Sequence, residues 1–306
     1  QDCRMNRLRP LLLLAVIVGA SFLSMNYSEH HSGSNAQPMQ VLYAHVVPAK
    51  LVFSDHGHAA QDHEHAAGIF GIPEAIAPTN LQIFQLGAVL LILIAFGGVS
   101  NHLRNGGGDK LTRILAGWVT YIRDEMVRPN MQRGDEQKFL PYFLFVFFFI
   151  VFMNLMGLVP GGATATASIW VTAALALTTL LAMLGCGMAS QGPVKFWTSL
   201  VPHVPAWLWP LMFLVEVLGL FVKPFALMIR LFANMTGGHL VVLSFMGLIF
   251  YFAGDQYSSL GWAVSPPAVG LAVFIMIIEG FVALLQAYIF TQLTIMFVGS
   301  AVHPEH

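Results

Sequence analysis

The run Trp207–Phe252, WLWPLMFLVEVLGLFVKPFALMIRLFANMTGGHLVVLSFMGLIFYF, decides the fold. A helix of that length reaches about 70 Å at ~1.5 Å per residue, against roughly 30 Å of bilayer hydrocarbon. The run is therefore either two spans with a turn or one steeply inclined helix. Pro224 supplies a kink but no turn signal surrounds it, which favours a single inclined helix over 205–252. The same geometry recurs over 265–302, and a soluble protein has no use for either.

Composition agrees that lipid is the main solvent. The chain is 306 residues long, 57% hydrophobic and 9% charged, where soluble domains carry roughly 25% charged residues. A net charge of -1, with no basic stripe, excludes a nucleic-acid partner. Two cysteines, Cys3 and Cys186, lie far apart and support no disulfide framework or metal motif.

Working towards the N-terminus, 163–189 reads as a span rich in Ala and Thr, small residues that let helices approach closely in lipid. The stretch 137–159 is a Phe-dense span, closed by Pro160-Gly161-Gly162. Residues 109–128 differ in kind. Leu111, Ile114, Leu115, Trp118, Val119 and Ile122 form one stripe of a 3.6-residue helix with Lys110, Arg113 and Asp124 on other faces, which predicts a helix lying on the membrane surface. A further apolar run, 81–103, is the first span. The fold class is thus an all-α membrane protein: about five membrane-embedded helices plus an amphipathic surface helix, the last two long and strongly tilted.

Seven of the 14 Lys and Arg residues lie between Asn101 and Lys138. The positive-inside rule places that loop in the cytoplasm or mitochondrial matrix, and the residues before 81 on the lumenal side. Residues 1–79 form an N-terminal extension. It begins with Gln1 rather than Met, which suggests processing or truncation. Arg4, Arg7 and Arg9 precede the apolar run Leu11–Met25, which reads as the tail of a targeting segment, a signal peptide or an interfacial helix. Seven of the 12 histidines fall in the first 65 residues. His56, His58, His63 and His65 offer a metal site as the sharper reading. A solvated tract is favoured, because no spacing matches a closed tetrahedral motif.

The chemistry-bearing residues sit in the two long runs. Charged groups inside a span cost about 2.5–3.5 kcal/mol even on the mildest scale, so they line water or find partners. Glu216, Lys223 and Arg230 recur every seven residues, on nearly one helical face. Glu216 and Lys223 are near an end, where they read as anchors that snorkel. Arg230 is near the middle, with no acid at i±3 or i±4, and awaits a partner from another chain. Asn234 follows one turn later. His239, nine residues after Arg230, faces the opposite side. In the next run Glu279 and Gln286 share a face, seven residues apart. A hairpin of the two helices would set Gln286 beside Arg230 and Glu279 beside His239. An imidazole near a buried carboxylate suits a proton relay, whereas a guanidinium does not deprotonate and acts as a fixed barrier.

Three stretches carry a resemblance: Pro224-Phe225-Ala226-Leu227-Met228-Ile229-Arg230-Leu231-Phe232-Ala233-Asn234-Met235 continuing to Gly238-His239; Leu285-Gln286-Ala287-Tyr288-Ile289-Phe290; and Phe139-Leu140-Pro141 with Met153-Asn154-Leu155-Met156-Gly157-Leu158. In these the chain resembles subunit a of the F-type ATP synthase, over about 200 residues and in the family order. The resemblance implies a stationary proton-channel subunit whose tilted helices wrap a ring of c subunits. Arg230 would face the ring carboxylates with Asn234 and Gln286 near it. His239 and Glu279 would line a lumenal half-channel, with Glu216, Lys223 and Asn154 supporting. The implied partners are the c-ring, peripheral-stalk and other membrane-sector subunits, lipid and protons. No cofactor is implied, and no bond is made or broken in this chain. Many bacterial members carry Glu where His239 stands and His where Glu279 stands. The exchanged pair here looks like the mitochondrial and alphaproteobacterial arrangement and points to the mitochondrial inner membrane, with the bacterial inner membrane as the alternative. Ala226 departs from the small hydroxyl residue often found there. A self-contained secondary ion transporter is the competing class; it predicts an inverted internal repeat, and none is visible.

Overall fold

The computed structural model describes residues 15–19, 80–97, 99, 110–131, 134–159, 165–201, 205, 207–252 and 258–302. All of its described elements are helical: α1 Asn80–Phe96, α2 Lys110–Tyr121, α3 Glu136–Gly157, α4 Ile169–Gln191, α5 Pro193–Ser199, α6 Trp209–Phe252 and α7 Ser258–Val302. Four of these, α3, α4, α6 and α7, are long and apolar enough to cross a bilayer, and α1 is a shorter apolar helix. The chain is an all-α membrane protein. The His-rich tract, with His56, His58, His63 and His65, lies outside the described residues.

α6 and α7 run unbroken for 44 and 45 residues. Pro224 stays inside α6, and Pro266 and Pro267 inside α7. At ~1.5 Å per residue each extends more than about 65 Å, so neither can stand upright in a core of about 30 Å. Of the two readings of the Trp207–Phe252 run, the structure shows the single helix. α7 packs along α6, α3 and α4, and α3 also packs on α1. The core between them pairs Phe143, Phe147, Phe148 and Ile150 of α3 with Phe290, Ile295 and Val298 of α7. Alanines at the buried positions 283 and 287 let the α7 backbone approach its neighbours. Val16 and Ile17 pack against a second cluster built on Phe84, Leu91 and Met153.

All six tryptophans are exposed. Trp197, Trp207 and Trp209 lie near one set of helix ends and Trp170 and Trp262 near the other, while Trp118 of α2 stacks on Phe147, at the middle of α3. Indole rings favour the headgroup level.

Three expectations change. The surface helix is not one α-helix over 109–128. It passes at Ile122–Val127 into π-helical turns and at Arg128–Asn130 into a 3-10 turn. Ile122, Met126 and Val127 are all in the core; a regular α-helix would keep Ile122 and Met126 on the Leu115 face but turn Val127 about 120° away, and the wider turns bring it in. The predicted apolar stripe also divides: Leu115 packs inward, while Ile114 and Trp118 are exposed. An Arg128 guanidinium bridges Asp124 at 2.7 Å and Glu136 at 3.1 Å, tying this turn to the start of α3. The hydrogen bond from Arg123 holds the Asp124 carboxyl below its ordinary value.

Between α4 and α6 lies the short helix α5. Gly192 makes the turn into it at φ 86°, a left-handed conformation only glycine adopts freely. Pro193 then opens the helix, where its missing N–H costs nothing. The third change is at α4, which begins at Ile169 rather than 163, after a 3-10 turn Ala165–Ala167. At its other end Gln191 Nε2 donates to the Ala301 carbonyl at 2.7 Å and Ser190 Oγ to that of Val302 at 3.4 Å. These side chains satisfy carbonyls at the end of α7 that have no partner within the helix.

Candidate functional site

α6 buries one line of residues, Leu220, Pro224, Leu227, Leu231 and Met235, spaced by three or four. Arg230 falls beside that line rather than on it and is exposed, next to the exposed Phe225 and Ile229. It stands at the helix midpoint. Among the described residues it makes no hydrogen bond or ion pair. Asn234 Nδ2 and Gln286 Nε2 are buried and also lack hydrogen-bond partners there. The hairpin therefore does not hydrogen-bond Gln286 to Arg230, although three polar groups are left open along it.

The second expected pair is present. His239 Nε2 lies 3.9 Å from Glu279 Oε1, with the Glu279 side chain only 5% exposed and that of His239 21%. Neither carboxyl oxygen has a hydrogen-bond partner among the described residues. The close approach depends on Gly238: a Cβ there would fall 2.6 Å from both Cδ and Oε1 of Glu279. Gly238→Ala must push the carboxyl aside, and a displacement of about 1 Å at a reacting group can cost around 100-fold. We expect ATP-driven proton pumping to fall at least about tenfold in vesicles containing the assembled complex. Parent-level pumping would show that the Glu279 position is not critical.

Asn154 of α3 is fully buried. It accepts from Thr166 Oγ1 at 2.7 Å and donates to the Ala283 carbonyl at 3.4 Å, between Glu279 and Gln286 in α7. Thr236 Oγ1 donates to the Ala167 carbonyl at 3.3 Å. The turn before α4 is thus held to α6 directly and, through Asn154 of α3, linked to α7.

Glu216 and Lys223, expected as end-of-helix anchors, line a cleft of about 60 Å³ with Gln191, Ser199, Phe297 and Ser300. A buried water needs about 10–15 Å³ on this measure, so several fit. The Lys223 ammonium stands 5.3 Å from the centre of the Phe297 ring. Along α6, Glu216 is about 21 Å from Arg230 and His239 about 13 Å away on the other side, at ~1.5 Å per residue. Arg230 therefore lies between a cleft towards the N-terminal end of α6 and a buried His–Glu pair towards its C-terminal end.

The cleft was not foreseen, because Gln191, Ser199 and Ser300 come from three helices and carry no local motif. The Gly238 contact had a visible signal, a glycine beside a chemistry-bearing residue. Among the described residues no group of three or more His, Cys, Asp or Glu side chains converges as a metal site would require.

Residues 82–299 match the family model described as ATP synthase A chain. Three similar relatives each carry the name ATP synthase subunit a. The one from Myxococcus xanthus (strain DK1622) is 42% identical over 251 residues, covering 79% of this chain and 80% of the relative. That from Chloroherpeton thalassium is 40% identical over 232 residues, 74% of this chain and 67% of the relative. That from Anaeromyxobacter sp. (strain Fw109-5) is 38% identical over 255 residues, 82% of this chain and 61% of the relative. The chain thus spans between about three fifths and four fifths of their length.

Proposed function

The chain belongs to the ATP synthase A chain family, and on that premise we propose that it is the stationary proton-channel subunit of a rotary ATP synthase. The observation that carries the reading is Arg230, a permanent cation exposed on an apolar helix face with no partner among the described residues. Such a group at the centre of a span costs about 2.5–3.5 kcal/mol or more unless another chain neutralises it. The exposed α6 row Leu218, Phe221, Val222 and Phe225 and the exposed α7 residues Phe274, Ile277 and Phe281 suit a ring of small apolar helices. Its carboxylates would pass Arg230 one at a time. The surface turn with Arg123, Asp124 and Arg128 faces the compartment where peripheral-stalk and other membrane-sector subunits would dock.

Protons enter through a lumenal half-channel containing His239 and Glu279, with Asn154 and Thr166 holding its wall, and neutralise a ring carboxylate. That carboxyl then turns through lipid. On reaching the cytoplasmic half-channel it releases its proton through the cleft lined by Glu216 and Lys223. Arg230, with Asn234 and Gln286, separates the two and pairs with each arriving carboxylate. Transmembrane potential supplies about 2.3 kcal/mol per charge per 100 mV. ATP chemistry takes place elsewhere in the complex. The membrane is the bacterial inner membrane: the relatives are bacterial, which favours it over the mitochondrial one suggested by the His239–Glu279 pairing.

Purification in mild detergent tests the assignment. We expect the chain to leave the membrane bound to an oligomer of a small two-span subunit carrying an intramembrane carboxylate. A disulfide from Phe225→Cys to that subunit is the expected contact. Recovery of a lone chain that conducts ions in vesicles by itself would instead favour the secondary transporter.

A further inference from the structure

We infer that a buried hydroxyl cluster, Thr179 of α4, Thr294 of α7 and Tyr142 of α3, is the inner segment of the cytoplasmic half-channel, carrying protons between the Gln286 level and the Glu216 cleft. The inference rests on the half-channel reading above. Thr179 Oγ1 and Thr294 Oγ1 are 3.5 Å apart and fully buried. Each already faces a carbonyl of its own helix, Thr179 that of Leu175 at 3.3 Å and Thr294 that of Phe290 at 2.8 Å. Either hydroxyl can donate across that contact, and each keeps a lone pair free for an outside donor. The Tyr142 hydroxyl supplies one: it lies beside Thr178 and Thr179, buried, and without a well-formed hydrogen bond.

A Thr179–Thr294 hydrogen bond between helices serves packing by itself, but it does not account for the buried Tyr142 hydroxyl brought to the same point without a partner among the described residues. A water held by one donor and two acceptors does, since buried waters sit where about three polar partners converge. The cluster also has continuity at both ends. Met183, one turn beyond Thr179, and Phe297, three residues beyond Thr294, both line the cleft. In the other direction Thr291 Oγ1 is buried without a partner, one turn closer to Gln286. Thr294 and Gln286 are eight residues apart, about 12 Å along the helix, a gap that a short file of waters spans. The proton moves along that file from water to water. The hydroxyls orient it and are returned unchanged.

The test is passive proton conduction through the assembled complex in inverted vesicles stripped of the catalytic sector, driven by an imposed diffusion potential. Thr179→Val with Thr294→Val keeps shape and removes both oxygens; conduction is expected to fall about five- to tenfold with unchanged assembly. Restoring only a hydroxyl, with Thr294→Ser in place of the valine, should recover most of the loss, which a packing role would not produce. Tyr142→Phe removes a single oxygen and gives an independent reading if the threonine variants fail to assemble. A drop there supports the cluster, and parent-level conduction overturns it. Glu216→Leu separates the two readings: if it impairs conduction while the hydroxyl variants do not, the cleft stands and the cluster falls. If none of them impairs conduction, both fall.

Discussion

Replacing Arg230 by alanine is expected to abolish ATP-driven proton pumping, by at least about 100-fold, in a complex that still assembles. Arg230 is exposed on α6 and buries no core side chain, so its removal leaves the helix packing intact. What disappears is the attraction for a ring carboxylate. Two unit charges about 4 Å apart at an effective dielectric of about 20 interact by about 4 kcal/mol, close to a thousandfold in occupancy. Without that attraction a protonated carboxyl has no reason to release its proton on meeting this face. The barrier between the half-channels also goes, so passive leak should rise. Arg230→Lys is not expected to rescue. An ammonium can lose its proton when desolvated, and it lacks the planar fork that meets a carboxylate with two hydrogen bonds. Coupled pumping at the parent rate in either variant would remove Arg230 from the mechanism.

The second large effect is expected at the buried pair. Glu279→Leu and His239→Leu should each reduce pumping about 10- to 100-fold, the range for losing one positioned proton-transfer group. The 3.9 Å approach of the two side chains makes a stronger statement possible. If they act as a unit, their effects are not additive, and contacting residues commonly show coupling of about 0.5–3 kcal/mol. The exchange His239→Glu with Glu279→His preserves one imidazole and one carboxyl at the same place. It should therefore pump better than the product of the two single exchanges predicts. Additive losses, measured as initial pumping rates at matched complex content, would mean that the two groups serve separate steps.

Much of this architecture could be read from the chain. A 46-residue apolar run allows few structures, and the absence of turn chemistry around Pro224 leaves the continuous helix. The seven-residue interval from Glu279 to Gln286, with the nine from Arg230 to His239, was enough to anticipate which side chains a hairpin brings together. It succeeded for His239 and Glu279. For Gln286 and Arg230 it did not yield a hydrogen bond, because Gln286 lies on the buried face of α7 while Arg230 points out of the bundle.

Features that depend on three helices at once were out of reach. Thr172 and Thr179 sit in an Ala- and Thr-rich helix, where composition alone indicates close packing. Only the neighbours Thr294 and Tyr142 give Thr179 another meaning. The Glu216 and Lys223 cleft likewise needs α5, whose short helix is hidden in a polar stretch. The π-helical turns at Ile122–Val127 respond to core packing rather than to local propensity.

The central claim is that two water-filled paths open to opposite sides of the membrane and meet only across Arg230. Sided thiol protection tests it directly. In a chain with Cys3 and Cys186 changed to serine, a single cysteine is placed at Ser300, in the cleft, or at Glu279, in the buried pair. Sealed vesicles of each orientation are exposed to silver ion, and the fraction of thiol protected from later alkylation is read by mass. The account predicts protection at 300 only from the cytoplasmic side and at 279 only from the lumenal side. Protection of both from one side, or of either from both sides, would contradict it.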